Sequence, residues 1–351
     1  MSFNMLFSGF FALAVVNGCG IHLPPADQIW GNEATLEDLA DGGKAIAVVT
    51  GPAAGISSSL WQRNDGTWAI AYGSEAVGDR DIFFATSNNS DGKRWNTPNA
   101  IAPAEFTAQD PVLFGRGEQL HLLFSSNRDG QNFHLYETSF TEGSWQTASR
   151  LELPGSLCVA PAVTSTPDGW LLAYQSSLGL MVAESIDGTS WENAQLAATR
   201  LGDPALAQVG DRLVLVAQRN QQLFELSRTA SGSWSIPSPL ELGASARQPY
   251  LASDATGRLV MAYARQATAG SPYQIAMTIR DGHTWRTSEI ITNGSFQHMN
   301  PALHFHADGR PALIWGIEKS VKWRGISFAL LTGLSAEINS GDLPATTSAS
   351  R

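Results

Sequence analysis

The sequence has 351 residues and a formal net charge of −10, with 43% apolar and only 15% charged residues. This composition is typical of a folded chain and excludes a disordered one. An acidic chain without basic runs also excludes nucleic acid as a partner, because phosphate binding needs clustered Lys and Arg. The two cysteines are too few and too distant for a disulfide framework or a zinc site.

The amino terminus has the pattern of an export signal. Residues 5–16 form an apolar run that is too short to span a bilayer as a helix. The next segment, Val16-Asn17-Gly18-Cys19, resembles the lipobox of bacterial lipoproteins, although Asn17 is unusual there and residues 1–4 contain no Lys or Arg. The resemblance implies a signal peptide at 1–18, an acylated Cys19 and a membrane lipoprotein facing the periplasm or the cell surface. An ordinary signal peptide with an incidental Cys19 is the alternative.

The remaining terminal segments are interpreted from composition. We expect a lipid-anchored linker at 19–43, with one short helix at 35–41, before a main domain at 44–334. Residues 335–351 are rich in Ser, Thr and Ala without an apolar period, which predicts a flexible tail.

Six sequence repeats fill the main domain. Each repeat opens on a strand entry, which is a proline in repeats two to six and Ser58 in the first. A turn follows about eight residues later, and then a strong strand. The entry prolines are Pro111, Pro161, Pro204, Pro249 and Pro301. The predicted second strands are 68–72, 120–124, 170–174, 213–217, 259–263 and 311–315, and a third strand follows each. The turn after the third strand ends in Trp95, Trp145, Trp191, Trp234 and Trp285.

A repeat of this length with four short strands is typical of a propeller blade. One blade cannot bury both of its faces, whereas stacking blades in a ring can. The sixth repeat stops after three strands, so we expect Lys44–Gly51 to supply its fourth strand and close the ring without a free edge. The sequence therefore predicts an all-β, six-bladed β-propeller with four-stranded blades. A sandwich or two separate domains fits the even repetition less well.

The turn motifs carry a family resemblance. Residues 185–191 (SIDGTSW) and 278–285 (TIRDGHTW) resemble the Asp-boxes, or BNR repeats, of sialidase-like propellers, and three other turns are degenerate copies. The resemblance covers roughly residues 56–334. It implies that the Asp-boxes are structural and lie on the face opposite the ligand site, which in propellers is usually the mouth of the central channel.

Two carboxylates are candidates for that mouth. Asp110 and Asp203 each precede an entry proline, in the second and fourth repeats. A carboxylate pair across a channel mouth is what glycosidases use, although capping of the strand entries beside proline is the interpretation that the sequence favours. Tyr250 lies near another entry, but no Glu can be matched to it as an activating partner, so all three remain weak catalytic candidates.

Four arginines are candidate ligand-binding residues near the same mouth, namely Arg128, Arg219, Arg247 and Arg265. Converging guanidinium groups bind carboxylates well, and sialidases hold sialic acid with an arginine triad. The sialidase catalytic set cannot be mapped onto this sequence, and solvated loop arginines are the interpretation that the sequence favours.

The remaining chemistry-bearing residues favour structural roles. His304 and His306 alternate on one strand with His298 nearby, but no further ligand is spaced with them, so we expect polar packing and no metal. Cys158 lies in an apolar context and is interpreted as a small buried hydrophobe. We expect no cofactor.

The sequence ranks three functions. The first is a membrane-anchored, monomeric propeller that binds a glycan or an acidic sugar at the channel mouth without turnover. The second is a divergent glycoside hydrolase of the sialidase type. The third is a lipoprotein scaffold that contacts envelope proteins through the propeller rim.

Overall fold

The computed structural model describes residues 29–30, 36–40, 43–51, 54–76, 79–101, 106–117, 119–228, 232–320 and 323–332. The predicted signal peptide, Cys19 and the predicted tail at 335–351 lie outside these residues. Within them the structure is a ring of six antiparallel sheets, so the predicted six-bladed all-β propeller is confirmed. The described residues contain no helix that is long and apolar enough to cross a membrane.

The blades follow the sequence repeats. Strands β1 (Ile29–Trp30), β2 (Leu36–Asp38) and β3 (Lys44–Gly51) precede them. Blade 1 contains β4 (Ala54–Gln62), β5 (Trp68–Ala76), β6 (Asp79–Thr86) and β7 (Asn99–Ile101). Blade 2 contains β8 (Ala108–Arg116), β9 (Gln119–Ser126), β10 (His134–Thr141), β11 (Ser144–Trp145) and β12 (Ser149–Arg150). Blade 3 contains β13 (Cys158–Thr166), β14 (Gly169–Ser176), β15 (Gly179–Ser185) and β16 (Glu192–Ala198).

The second half of the ring has the same order. Blade 4 contains β17 (Gly202–Val209), β18 (Arg212–Arg219), β19 (Gln222–Ser227) and β20 (Ser238–Pro239). Blade 5 contains β21 (Ser245–Ser253), β22 (Leu259–Gln266), β23 (Gln274–Asp281), β24 (Thr284–Trp285) and β25 (Glu289–Ile290). Blade 6 contains β26 (Gln297–Phe305), β27 (Pro311–Ser320) and β28 (Trp323–Leu330).

The predicted closure of the ring is confirmed. Strand β3 pairs antiparallel with β28, with Ile326 opposite Val49 and Phe328 opposite Ile46. Blade 6 thus takes its fourth strand from the amino-terminal side of the chain, which covers the edge of β28.

The predicted helix at 35–41 is wrong. Residues 36–38 form β2, which pairs with β3 from Leu36 opposite Ile46 to Asp38 opposite Lys44. An isolated helix of seven residues is only marginally stable, whereas the edge of β3 offers ready backbone partners. Tertiary pairing therefore overrides the local preference of this segment.

The core lies between neighbouring blades, as their amphipathic strands require. Six apolar clusters each join two successive blades, and the cluster between blades 6 and 1 contains the fully buried Val49, Trp68 and Phe328. The rings of Trp68 and Phe328 lie 5.5 Å apart between centroids. Ring closure and the packing of blade 1 therefore depend on the same side chains.

The Asp-box of blade 3 has the structural role that the resemblance implies. Asp187 Oδ1 accepts hydrogen bonds from the backbone N–H groups of Thr189 and Ser190 at 2.8 and 2.9 Å, and Ser185 Oγ accepts one from Gly188 at 2.9 Å. These backbone bonds lower the pKa of Asp187 to about 2. Asp187 is therefore an ionised turn residue, and backbone N–H groups of its own turn satisfy its Oδ1 atom.

Candidate functional site

The candidate site is a cavity at the centre of the ring, where the inner strands of the blades converge. It encloses about 160 Å³, and all five entry prolines line it. The polar residues in its wall are Ser57, Ser58, Asp110, Asp203, Gln248 and Asn300, with Tyr250 beside them. In blade 3 the cavity end of the strands is marked by Cys158 of β13, which lies opposite Ser176 of β14. The Asp-box begins at Ser185 of β15, which lies opposite Trp170 at the other end of β14. The cavity therefore lies on the face away from the Asp-boxes.

The entry prolines explain why the strands open here. Proline cannot donate to a sheet ladder, and each inner strand has an irregularity in its register at this point, such as the one between Gln109 and Val112 in β8. The residue before each entry proline has a positive φ, with values of 44° to 54°. These residues are Asp110, Ala160, Asp203, Gln248 and Asn300. This conformation is disfavoured for residues other than glycine and next to proline, so the surrounding ring must hold it in place.

Hydrogen bonds between blades hold the backbone at three of these positions, Ala160, Gln248 and Asn300. The Asn300 N–H donates to Gln248 Oε1 at 3.1 Å, and the Gln248 N–H donates to Gln218 Oε1 at 2.8 Å. The Ala160 N–H donates to the Asp110 carboxylate, which also accepts a bond from Ser125 Oγ at 3.3 Å. Side chains of one blade thus fix the backbone of the next, and the mouth is preorganised as a ring of polar groups.

The two aspartates interact electrostatically. Burial raises the pKa of Asp110, and the charge of Asp203 raises it further against the opposing bonds from Ala160 and Ser125 and the charge of Arg80. Burial against the channel wall also raises the pKa of Asp203, and the charge of Arg247 opposes this shift. Asp203 nevertheless remains exposed to solvent on its other side. The sequence-predicted carboxylate pair therefore shares one cavity and one electrostatic environment.

Tyr250 lies in the same cavity wall and packs against the apolar clusters of blades 5 and 6 and of blades 6 and 1. Burial raises its pKa to about 12. The Tyr250 phenol is therefore harder to ionise than an ordinary tyrosine, which is the opposite of what an activated tyrosine nucleophile needs.

None of the four sequence-predicted arginines lies in the described cavity wall. Three of them cover aromatic rings of their own blade: Arg128 lies 4.9 Å from the ring centroid of Tyr136, Arg219 4.5 Å from Phe224 and Arg247 3.8 Å from Tyr273. Such stacking orients each guanidinium along its own blade. Arg265 lies beside Tyr263, whose raised pKa it partly offsets.

Arg247 and Arg219 nevertheless border the mouth. Arg247 acts electrostatically on Asp203, and its buried Nε has no hydrogen-bond partner among the described residues. Arg219 is exposed and shares with Asp203 a neighbouring pocket of about 530 Å³ between blades 3 and 4. Arg128 lies elsewhere, in the wall of a groove between blades 1 and 2.

The histidines and Cys158 are engaged in packing. His304 and His306 both lie against Trp68, at ring-centroid distances of 6.0 and 5.9 Å, and His304 Nδ1 lies 2.9 Å from the carbonyl oxygen of Phe305. In the part of the chain that the structure describes, no three His, Cys, Asp or Glu residues are grouped as metal ligands. Cys158 is buried, as predicted, and burial raises its pKa to about 11.

Sequence reasoning missed the ring of backbone contacts. Gln218 and Ser125 support the mouth from second strands, where nothing in the local pattern distinguishes them from surface polar residues. One sequence signal does identify mouth residues. When the repeats are aligned on their entry prolines, Asp110, Asp203 and Gln248 occupy the same position, directly before the proline.

Comparisons with solved structures agree with this architecture. A protein of unknown function from Dyadobacter fermentans matches with a TM-score of 0.64 at 13% identity, over 87% of this chain and 98% of that one. A sialidase from Trypanosoma rangeli matches with a TM-score of 0.60 at 12% identity, and the NanB sialidase of Streptococcus pneumoniae with 0.62 at 9%. These two matches cover 87% and 80% of this chain, but 60% and 68% of the sialidases.

No protein-family model and no curated protein matches the sequence. The chain thus has a sialidase-like, six-bladed propeller fold, and it spans about 60% of the length of the Trypanosoma rangeli sialidase. At identities of 9% to 13% this likeness is one of fold, so the function has to be argued from the site.

Proposed function

We propose that this protein is a glycan-binding propeller, with its site at the mouth of the central channel. The observation that carries the proposal is the set of polar side chains at the strand entries, among them Asp110, Asp203 and Gln248. Hydrogen bonds between blades hold Asp110 against blade 3 and Gln248 between blades 4 and 6. Sugar hydroxyl groups both donate and accept hydrogen bonds, which suits a fixed ring of carboxylates and amides.

The size of the mouth favours one end of a glycan. The central cavity of about 160 Å³ is smaller than a typical small-molecule site of about 300–1,000 Å³. The adjoining pocket of about 530 Å³ shares Asp203 and adds Arg219. One ring of the glycan would sit over the cavity, with the next in the adjoining pocket.

The charges favour neutral sugars over acidic sugars at this point. Asp110 and Asp203 repel a ligand carboxylate, and the arginines needed to offset them stack on rings of their own blades. Burial raises the pKa of Tyr250, which disfavours its use as a nucleophile and supports binding without turnover.

A divergent glycoside hydrolase is the second candidate, and one observation favours it. The pKa values of Asp110 and Asp203 are both raised, as a general acid requires. In that case the more buried Asp110 would protonate the glycosidic oxygen of the leaving group. Asp203, which is more exposed to solvent, would act as the base or the nucleophile.

The test is a glycan array probed with the purified protein, with retained glycan and released sugar both measured. Glycan hits are then titrated against Asp110→Asn and Asp203→Asn, with the exposed Asp211→Asn on the Asp-box side as a matched control. We expect affinity to fall about tenfold for each mouth variant, since about 1.4 kcal/mol is a factor of ten, and to stay unchanged for the control.

Each outcome separates the candidates. Sugar release that either mouth variant abolishes would replace binding with hydrolysis. A folded protein that retains no glycan would overturn the proposal and favour an envelope scaffold, which co-purification of a partner would detect.

We further propose that the propeller is exported and tethered through an acylated Cys19. The lipobox-like segment at 16–19 supports this, and an anchored propeller could present its channel mouth to glycans outside the cytoplasm. Metabolic labelling with an alkyne fatty acid in a bacterial host tests the tether. Wild-type protein should be labelled and Cys19→Ala should not, whereas equal labelling of both would reject this cysteine as the anchor.

A further inference from the structure

A larger concavity lies away from the channel mouth, between blades 1 and 2. We call it the 1–2 groove. It has a volume of about 870 Å³, within the range of about 300–1,000 Å³ for small-molecule sites. Its wall contains the turns of β4–β5, β8–β9 and β10–β11, so it reaches the Asp-box side of the ring. None of its residues lines the central cavity.

Aromatic side chains form the floor of the 1–2 groove. The Trp145 ring meets Phe84 and Phe140 edge to face, with centroid distances of 5.1 and 5.3 Å, and Trp61 completes the set. All four residues are only partly buried, although they pack against the apolar cluster between blades 1 and 2. Rigid, half-exposed rings of this kind offer stacking surface to a flat apolar ligand face at little entropic cost.

The polar lining of the groove is amide, hydroxyl and guanidinium. Asn96, Asn99 and Gln146 are exposed along the rim, and Arg63 and Arg128 line it as well. No Asp or Glu is among its described lining residues, in a chain whose net charge is −10. Asp65 pairs with Arg63 at 3.4 Å, but both side chains are exposed, and such pairs are weak.

The corresponding groove between blades 3 and 4 has the opposite character. Its volume is about 670 Å³, and Arg228 there is paired with Glu184 at 2.7 Å. Its other charged lining residues are Asp168, Asp187, Glu192 and Asp211. The groove between blades 3 and 4 is thus acidic, whereas the described lining of the 1–2 groove contains no carboxylate. The lining of the 1–2 groove is therefore not a general property of the fold.

We propose that the 1–2 groove is a second binding site, which takes an acidic oligosaccharide. Sugar rings would stack on Phe84, Phe140 and Trp145, while the rim amides bond their hydroxyl groups. The exposed Arg63 would pair with a carboxylate group of the ligand, while Arg128, which stacks on Phe124 and Tyr136, adds positive charge to the wall. Charge complementarity selects an acidic ligand over a neutral one, because the described wall contains cations and no anion.

This site is independent of the channel mouth in position and in charge. The mouth has two carboxylates and favours neutral rings, whereas the 1–2 groove favours acidic ones. Failure at one site therefore leaves the other untouched.

The test is calorimetric titration of the full-length protein with tetragalacturonate, with maltotetraose as the neutral oligosaccharide of equal length. The groove variant is Arg63→Gln/Gln146→Ala, since both side chains are exposed and their loss should leave the fold intact. The matched control is Glu192→Gln in the groove between blades 3 and 4, and Asp203→Asn reports on the mouth.

We expect saturable binding of tetragalacturonate that weakens as salt is raised, and weaker binding of maltotetraose. The groove variant should lose affinity about tenfold, from one ion pair and one amide contact, while both other variants keep it. Absence of binding to folded wild-type protein would overturn the proposal. So would affinity that survives the groove variant, or that Asp203→Asn abolishes.

Discussion

Replacing Gly92 with alanine should destabilise the ring where blade 6 meets blade 1. A Cβ atom at Gly92 would overlap Cε1 of Phe328 and lie 2.7 Å from its Cζ, although carbon atoms pack at about 3.5–4.0 Å. Phe328 is fully buried, with the rings of Trp68 and Trp95 at centroid distances of 5.5 and 5.7 Å. The phenyl ring therefore has no free space into which it could retreat.

Two costs add up in this variant. Alanine at a φ of +67° costs about 1–2 kcal/mol, and overpacking a dense core costs about 1–3 kcal/mol more. Gly282 likewise follows an aspartate and precedes the turn tryptophan of its blade by three residues. It has a φ of +57° and open space around its Cβ position, so Gly282→Ala pays only the first cost. We expect Gly92→Ala to melt about 2–12 °C below Gly282→Ala, at roughly 2–4 °C per kcal/mol.

Differential scanning calorimetry of both variants measures this difference. Phe328→Leu in the Gly92→Ala background should recover part of the loss, because the smaller side chain relieves the overlap. Equal melting temperatures for the two alanine variants would refute the close packing of the blade 1 turn against Phe328. Since Phe328 lies on the strand that β3 covers, the comparison also probes ring closure.

Three further predictions concern buried charge and reactivity. In the wild-type protein the buried Arg280 guanidinium lies 2.6 Å from Glu225 Oε1. Glu225→Ala removes this carboxylate and should lower the free energy of unfolding by about 3 kcal/mol in urea titrations. An unchanged urea midpoint would contradict the prediction. Asp110→Asn should raise the melting temperature at pH 7, since a carboxyl whose pKa is raised by folding destabilises the protein when ionised. That gain should shrink as the pH falls through the pKa of folded Asp110 and vanish below about 3.8, the unfolded value; a gain independent of pH would refute it. In a Cys19→Ser background, Cys158 should resist iodoacetamide at pH 8 until urea unfolds the chain, because burial raises its pKa to about 11, and rapid native labelling would contradict its burial.

The repeats explain why the fold could be predicted. Each blade is built from contacts local in sequence, so strand alternation, the entry prolines and the turn tryptophans mark the blades one by one. The missing fourth strand of the last repeat also predicted that Lys44–Gly51 closes the ring. The exception is the segment at 35–41, where a weak helical preference gives way to the free edge of β3.

The candidate site depends on contacts that are distant in sequence. Asp110 and Asp203 could be proposed from their place before entry prolines, but their shared environment arises only when the ring brings the strand entries of blades 2 and 4 to one cavity. The direction of the arginines was likewise undetermined, because stacking on Phe224, Tyr136 or Tyr273 depends on which ring lies within reach.

The sequence by itself therefore determined the number of blades, their strand order and the closing strand, because the physics that specifies them is periodic and local. Only the tertiary structure decided which side chains share a cavity and which groove is free of described carboxylates. Those properties depend on how separate blades align in the ring, and no single repeat contains that information.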